Sequence, residues 1–197
     1  MKKSNGNFKL GIVAVEAASI VLAVLLALAV DEWREDRSQQ QQAYAALMNI
    51  SIELKDNQKV LKLIHENNVE TVKLMTEDQE SAGKPGQDED RNFIPGLQLR
   101  ETAWETMLST GISGYVDYDT ILELSATYSM QRVYKDTGSK MTAAAMNVAA
   151  YATVLDREVE NESFQRQFIS YFEMLVGIED TLLEFYQTSI SQLDENI

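Results

Sequence analysis

An acid inside an apolar run is the feature of this chain with the most chemical potential. Glu16 sits within LGIVAVEAASIVLAVLLALAV, residues 10–30. Deep in a bilayer, an ionised carboxylate costs roughly 2.5–3.5 kcal/mol or more unless it is protonated, paired or lined by water. Ala14, Ala17, Ala18 and Ser19 around it are small, and Ala14-x-x-x-Ala18 would let a second helix come close. The chemistry expected here is recognition. Glu16, with Ala14 and Ala18, meets a basic or polar group on a partner membrane helix. The plain alternative is a protonated acid, or one reaching back toward the inner interface. A single acid makes no proton relay.

The remaining candidates are weaker. Trp104, beside Met107, suits a helix packed in a core, and as an alternative it could form a pocket on a bundle face. Glu101 and Glu105 share a helix face, as do Asp156 and Glu160. Paired carboxylates do acid–base work when a fold brings them together in a cleft; on an acidic helix they usually form a solvated face. Asp88-Glu89-Asp90 lacks the alternating ligand spacing of a calcium loop. His65 is the single histidine and is expected on a solvent-facing flank. With one imidazole and no cysteine, zinc and di-iron sites lack their usual ligands, and disulfides and thiol chemistry are excluded. There is no G-x-S-x-G, no phosphate-cradling glycine loop and no H-E-x-x-H. No metal or other cofactor is expected.

These residues must be carried by something, and the apolar run is the first carrier. Leu10–Val30 makes about 31 Å of helix at 1.5 Å per residue, the thickness of a hydrocarbon core. A cleavable signal peptide is a rival, since Lys2, Lys3 and Lys9 precede the run and Ala27-Leu28-Ala29 resembles a cleavage site. The run exceeds the usual signal h-region and carries Glu16, which favours a retained anchor. A buried soluble helix is the other rival, but the run is apolar on every face. The three lysines place residues 1–9 on the cytoplasmic side, against Arg34 and Arg37 diluted by four acids. Residues 31–197 then lie outside, in the periplasm of a bacterium, with Trp33 as an interfacial anchor.

Charge agrees with that division. The chain has 197 residues and a net charge of -14. Removing Lys2, Lys3, Lys9 and Glu16 from the 17 basic and 31 acidic residues leaves 14 and 30 from Asp31 onward, a net of -16. Such a body repels phosphate backbones, so nucleic acid is not an expected partner.

Beyond Val30 every strong signal is helical. No proline or glycine interrupts residues 31–79, and Leu47, Ile50, Leu54, Leu61, Ile64 and Met75 form a heptad-like seam widened by Val60 and Leu74. Asn57 and Asn68 fall on that seam, where buried asparagines can set register; frayed or wet positions account for them about equally well. The anchor helix could run into this one as a single rod past the polar neck Gln39–Gln42. Residues 80–96 hold both prolines and three glycines and read as a loop. A helix over 97–110 ends at Gly111, with Gly114 in a turn. Asp117 or Asp119 caps the next helix, whose stripe is Ile121, Leu122, Leu124, Tyr128 and Val133. A hinge is expected around Gly138, then an alanine-rich helix over 141–155, central and tightly packed. A last helix begins at Asn161 or Ser163 and carries Phe164, Phe168, Tyr171, Leu175, Ile178, Leu182 and Phe185, with Gly177 as its weak point. The predicted fold is all-α: one N-terminal transmembrane helix followed by an antiparallel bundle of four to five helices.

Two stretches carry a resemblance. Residues 16–37, EAASIVLAVLLALAVDEWREDR, join an acid, an apolar run, a D-x-W and a mixed-charge exit. Residues 102–111, TAWETMLSTG, precede a helix holding Tyr128 and Gln131. Both resemble an uncharacterised family of short bacterial single-pass membrane-anchored proteins, a domain of unknown function. The resemblance implies an anchor, a helical body and no assigned activity or site.

The function expected is therefore a structural or interaction subunit of the bacterial inner membrane. It would bind another integral membrane protein, or itself, within the bilayer. The alternative is an extracytoplasmic sensor bundle that takes a small ligand and signals through a partner, because residues 1–9 are too few for an output domain. A hydrolase using paired carboxylates is the third reading.

Overall fold

The computed structural model describes the backbone of residues 6–80, 99–155 and 162–196, and side chains over most of these, beginning at Val15. All regular structure in them is helical: α1 (Gly6–Glu80), α2 (Thr102–Ser109), a 3₁₀ turn (Ile112–Tyr115), α3 (Tyr118–Leu155) and α4 (Glu162–Asn196). The acidic triplet 88–90, most of the 80–96 loop, Leu97, Asp156, Glu160 and Asn161 lie outside the described residues.

The single-rod alternative holds for α1. Its 75 residues run without a break from the apolar stretch into the bundle, about 112 Å at 1.5 Å per residue. The neck is helical as well, with Gln39 donating to Glu35 at 2.6 Å and Gln42 to Ser38 at 3.3 Å. No proline or glycine after Gly11 interrupts it, so nothing removes a hydrogen bond from the ladder. Among the described residues, no helix carries a stretch long and apolar enough to cross a membrane. Eighteen residues counted from Val15 already take in Glu16, Asp31 and Glu32.

Three long helices form the bundle. Lys55 meets Asp194 at 2.7 Å, and Asn68 meets Glu179 at 2.6 Å, so α1 and α4 run antiparallel. Thr127 meets Ser189, and Tyr134 meets Glu179, so α3 and α4 do too. α1 and α3 are therefore parallel, which the connection through residues 81–101 makes possible. The segment 99–107 wedges between them and buries Leu99, Trp104 and Met107.

The α1 seam is where the spacing put it. Ile50, Leu54, Leu61 and Ile64 are buried, as are Asn57 and Asn68, while Leu47, Val60 and Met75 are partly covered and Leu74 is exposed. Gly111 ends the wedge at φ 75°, the left-handed conformation that favours glycine. Asp117 caps α3 by accepting the Thr120 N–H at 2.8 Å.

Four expectations fail. There is no break at Gly138: α3 continues through it to Leu155, because a lone glycine in a packed helix costs only about 1 kcal/mol. At the start of the alanine-rich stretch Met141 is buried, but Ala143, Ala144 and Met146 are exposed rather than tightly packed, and the side chains of residues 148–155 lie outside the described ones. On α3, Leu124 and Tyr128 are buried but Leu122 and Val133 are exposed. On α4 the buried line is Phe172, Leu175, Glu179, Leu182, Tyr186 and Leu193. Tyr171 is exposed, and Ile178 and Phe185 are only partly covered. Leu175 and Leu182 of the expected stripe do lie on the buried line, but Glu179 and the equally buried Ser189 extend it, and a tally of apolar residues passes over both.

Candidate functional site

Three features could carry function: two polar layers inside the bundle, and the exposed N-terminal part of α1.

The first layer is built around the wedge. Asn57 Nδ2 donates to the Arg100 carbonyl at 2.6 Å and to Gln131 Oε1 at 3.1 Å, while its Oδ1 accepts the Arg100 N–H at 2.9 Å. Gln131 Nε2 donates to the same carbonyl at 3.0 Å, and Tyr186 donates to Gln131 Oε1 at 2.6 Å. Glu53 accepts from Tyr128 at 2.8 Å and from the Ala103 N–H at 3.0 Å. The Trp104 ring stacks on Tyr128 with centroids 5.3 Å apart and planes 8° from parallel. Burial, then the charge of Glu53, pushes the Tyr128 phenol far above its ordinary value; burial does the same to Tyr186. Both remain donors. Trp104, Tyr128 and Gln131, from the second resembling stretch and the helix that follows it, thus meet in one place. Trp104 is a core residue here, 3 % exposed, with its Nε1 unpartnered.

The second layer lies farther along α1. Glu179 is fully buried; Tyr134 donates to its Oε1 at 2.8 Å and Asn68 at 2.6 Å. His65 Nδ1 lies 3.3 Å from Glu179 Oε2, and Nε2 lies 3.3 Å from Asp180 Oδ1. The expectation of a solvent-facing His65 is thus corrected: its side chain is only 20 % exposed. The ring is held because α4 presents two adjacent acids at that level, which the α1 sequence alone does not reveal. Burial pushes the Glu179 carboxyl above the usual range, opposed by hydrogen bonds from Tyr134, Asn68 and His65.

Of the paired carboxylates, Glu101 and Glu105 are the described pair, and they do not form an acid–base cleft. Glu101 receives Lys135 at 3.1 Å and Arg132 at 3.7 Å, while Glu105 is exposed. An open cleft of ≈ 530 Å³ between α1 and α2 is lined by Ala45, Asn49, Ile52, Glu53, Asp56 and Thr106, among others. Its two acids are already engaged, Glu53 as above and Asp56 by Arg100 at 2.8 Å. Among the described residues, no group of three or more metal-ligating side chains assembles.

The exposed part of α1 differs in kind. Val15, Ile20, Val21, Leu22, Val24, Leu25, Leu26, Leu28 and Val30 are all more than half exposed, and the first buried core residue is Ala43. These side chains lie on all sides of the helix. Trp33 is 61 % exposed, with the Arg37 guanidinium 5.9 Å from its ring centroid. Glu16 is exposed; its carbonyl accepts from the Ser19 hydroxyl at 2.8 Å. Helical geometry also separates residues that were grouped above. At about 100° per residue, Ala14 and Ala18 lie roughly 160–200° from Glu16, on the opposite face. The small residues that share the Glu16 side are Ser19, Ala23 and Ala27. Ala18 is exposed, and the Ala14 side chain lies outside the described ones.

No family model, curated protein or solved structure matches this chain.

Proposed function

We propose that this protein is a single-pass, membrane-anchored interaction subunit whose helical bundle stands outside the cytoplasm of a bacterium. The observation that carries the reading is the apolar sleeve of α1 from Val15 to Val30, exposed on all faces and continuous with a folded bundle. Burying one large apolar side chain is worth about 1.5–3 kcal/mol, so nine of them left in water are a strong demand for a covering phase. Together with residues 10–14 the sleeve has the length of a bilayer core. Trp33, with Arg37 against its ring, suits the headgroup level. The kinship proposed with the uncharacterised anchored family points the same way.

Within the membrane, Glu16 with Ser19, Ala23 and Ala27 would face a polar or basic group on a partner helix, either another integral protein or a second copy. Ala14 and Ala18 face away from it. Because α1 is one rod, a partner gripping the sleeve is joined to the bundle without a flexible linker.

The test has two arms. Alkaline extraction and vesicle flotation report insertion; recovery in the soluble fraction sinks the anchor. Co-purification in mild detergent with crosslinking reports the partner; a monomer with nothing attached sinks the interaction. Cysteines introduced at Ser4 and Gln87, probed with an impermeant thiol reagent, report sidedness.

A second reading, a ligand-binding sensor bundle, is favoured by the ≈ 530 Å³ cleft between α1 and α2. A thermal-shift screen of the full chain separates it: stabilisation that is lost in Asn49→Leu supports a ligand, and none from any metabolite class favours the first reading.

A further inference from the structure

The second polar layer holds a titratable pair that the anchored-subunit reading does not use. His65 lies between two carboxylates of α4, with one ring nitrogen 3.3 Å from Glu179 and the other 3.3 Å from Asp180. A neutral imidazole carries one N–H. It can therefore serve one acid and must turn a lone pair on the other. One additional proton makes both contacts attractive. Either an imidazolium donates on both sides, or Glu179 carries the proton, donates it to Nδ1, and Nε2–H donates to Asp180. The two arrangements are one protonation state of a coupled pair.

The surroundings make that proton matter. Glu179 is completely enclosed. Asn68 from α1 and Tyr134 from α3 face it with neutral donors, and His65 is the base in contact with it. Asn68 Oδ1 is buried with no partner, so the layer has more acceptors than donors. The wedge layer has no such shortage of donors: Asn57, Gln131, Tyr128 and Tyr186 saturate its acceptors, and its one loose group is itself a donor, Trp104 Nε1.

We propose that this layer is a proton-operated clamp: one proton shared by His65 and Glu179 fastens the outer half of α1 to α4, and its release loosens that half. Burial raises the Glu179 carboxyl in the folded state, so that carboxyl keeps its proton to higher pH in the folded chain than in the unfolded one. The stabilisation is then present on the acid side and is lost as pH rises through the folded value. This inference stands whether or not the sleeve crosses a membrane.

Hydrogen exchange on the full chain in mild detergent, corrected for intrinsic rates, tests the clamp between pH 5.5 and 8.5. Protection of residues 61–75 and 168–180 should fall with rising pH, by at most about tenfold per pH unit, the limit for one proton. Protection of residues 50–57 and 182–193 should stay level. His65 is 20 % exposed in its side chain, and H65Q, which removes the imidazole from the pair, should flatten the slope. E179Q keeps acceptor and donor positions and should abolish the slope, with outer-half protection at pH 8 no lower than in the parent. A flat profile in the parent overturns the clamp. So does a parental slope retained in H65Q, which lacks the imidazole that shares the proton and decides the matter even if E179Q does not fold.

Discussion

Tyr128 donates to Glu53 Oε1 at 2.8 Å across the gap between two parallel helices, α3 and α1. These helices are held apart by the wedge, and their side chains meet where the Trp104 ring lies flat on Tyr128. Each group in this contact needs the others. The phenol relieves a buried carboxylate, the carboxylate also holds the Ala103 N–H, and that backbone bond seats the wedge.

Removing the phenol alone should therefore be expensive for so small a change. Tyr128→Phe leaves one oxygen of Glu53 without its donor, and an unsatisfied buried group costs about 1–3 kcal/mol. Trp104→Ala should cost more, about 3–5 kcal/mol, through the cavity it opens. Denaturant midpoints measure both. The double variant should fall short of the sum, because the two rings are in contact.

Two glycines should respond in opposite directions. Gly138 lies inside a continuous helix, and a Cβ there would meet nothing within 4 Å. Gly138→Ala should stabilise the chain by about 0.5–1 kcal/mol. A Cβ at Gly111 also has open space, but φ there is 75°. Gly111→Ala should destabilise by about 1 kcal/mol, and Gly111→Asn by less. Thermal unfolding by circular dichroism distinguishes the signs.

Asp117 should make a contribution that acid removes. Hydrogen bonds to the Thr120 side chain and N–H hold its carboxyl below the usual value. Asp117→Ala should cost about 0.5–2 kcal/mol at neutral pH through the lost cap. A lowered folded value means that the stabilisation is present above the ordinary aspartate range, near 3.9, and is lost as pH falls through the folded value. The gap between parent and variant should close toward acid. This is the reverse of the sign expected for Glu179.

The face geometry of α1 makes the partner reading specific. Glu16→Gln keeps shape and removes charge, and Glu16→Leu removes polarity altogether. Both should weaken recovery of the partner, as should Ala23→Ile or Ala27→Ile on the same side. Ala18→Ile, on the opposite face, should be tolerated. Crosslinking yield in detergent is the readout; if capture survives both Glu16 changes, the acid is incidental.

What the sequence determined by itself was a part of what periodicity and local chemistry control. The all-helical fold, the α1 seam down to Asn57 and Asn68, the Gly111 stop and the Asp117 cap are properties of neighbouring residues on one helix. They need no knowledge of what packs against it. The apolar sleeve is legible in the same way, because its exposure follows from its own composition. Tertiary structure alone decided which polar residues beyond that seam are buried. Glu179 looks like an acid on an acidic helix until α1 and α3 close over it with Asn68 and Tyr134. His65 looks like a surface histidine until α4 brings two carboxylates to its ring. The wedge needs Asn57, Gln131 and the Arg100 backbone from three separate segments. A polar side chain enters a core only when partners elsewhere in the chain satisfy it, and no local pattern records where those partners are.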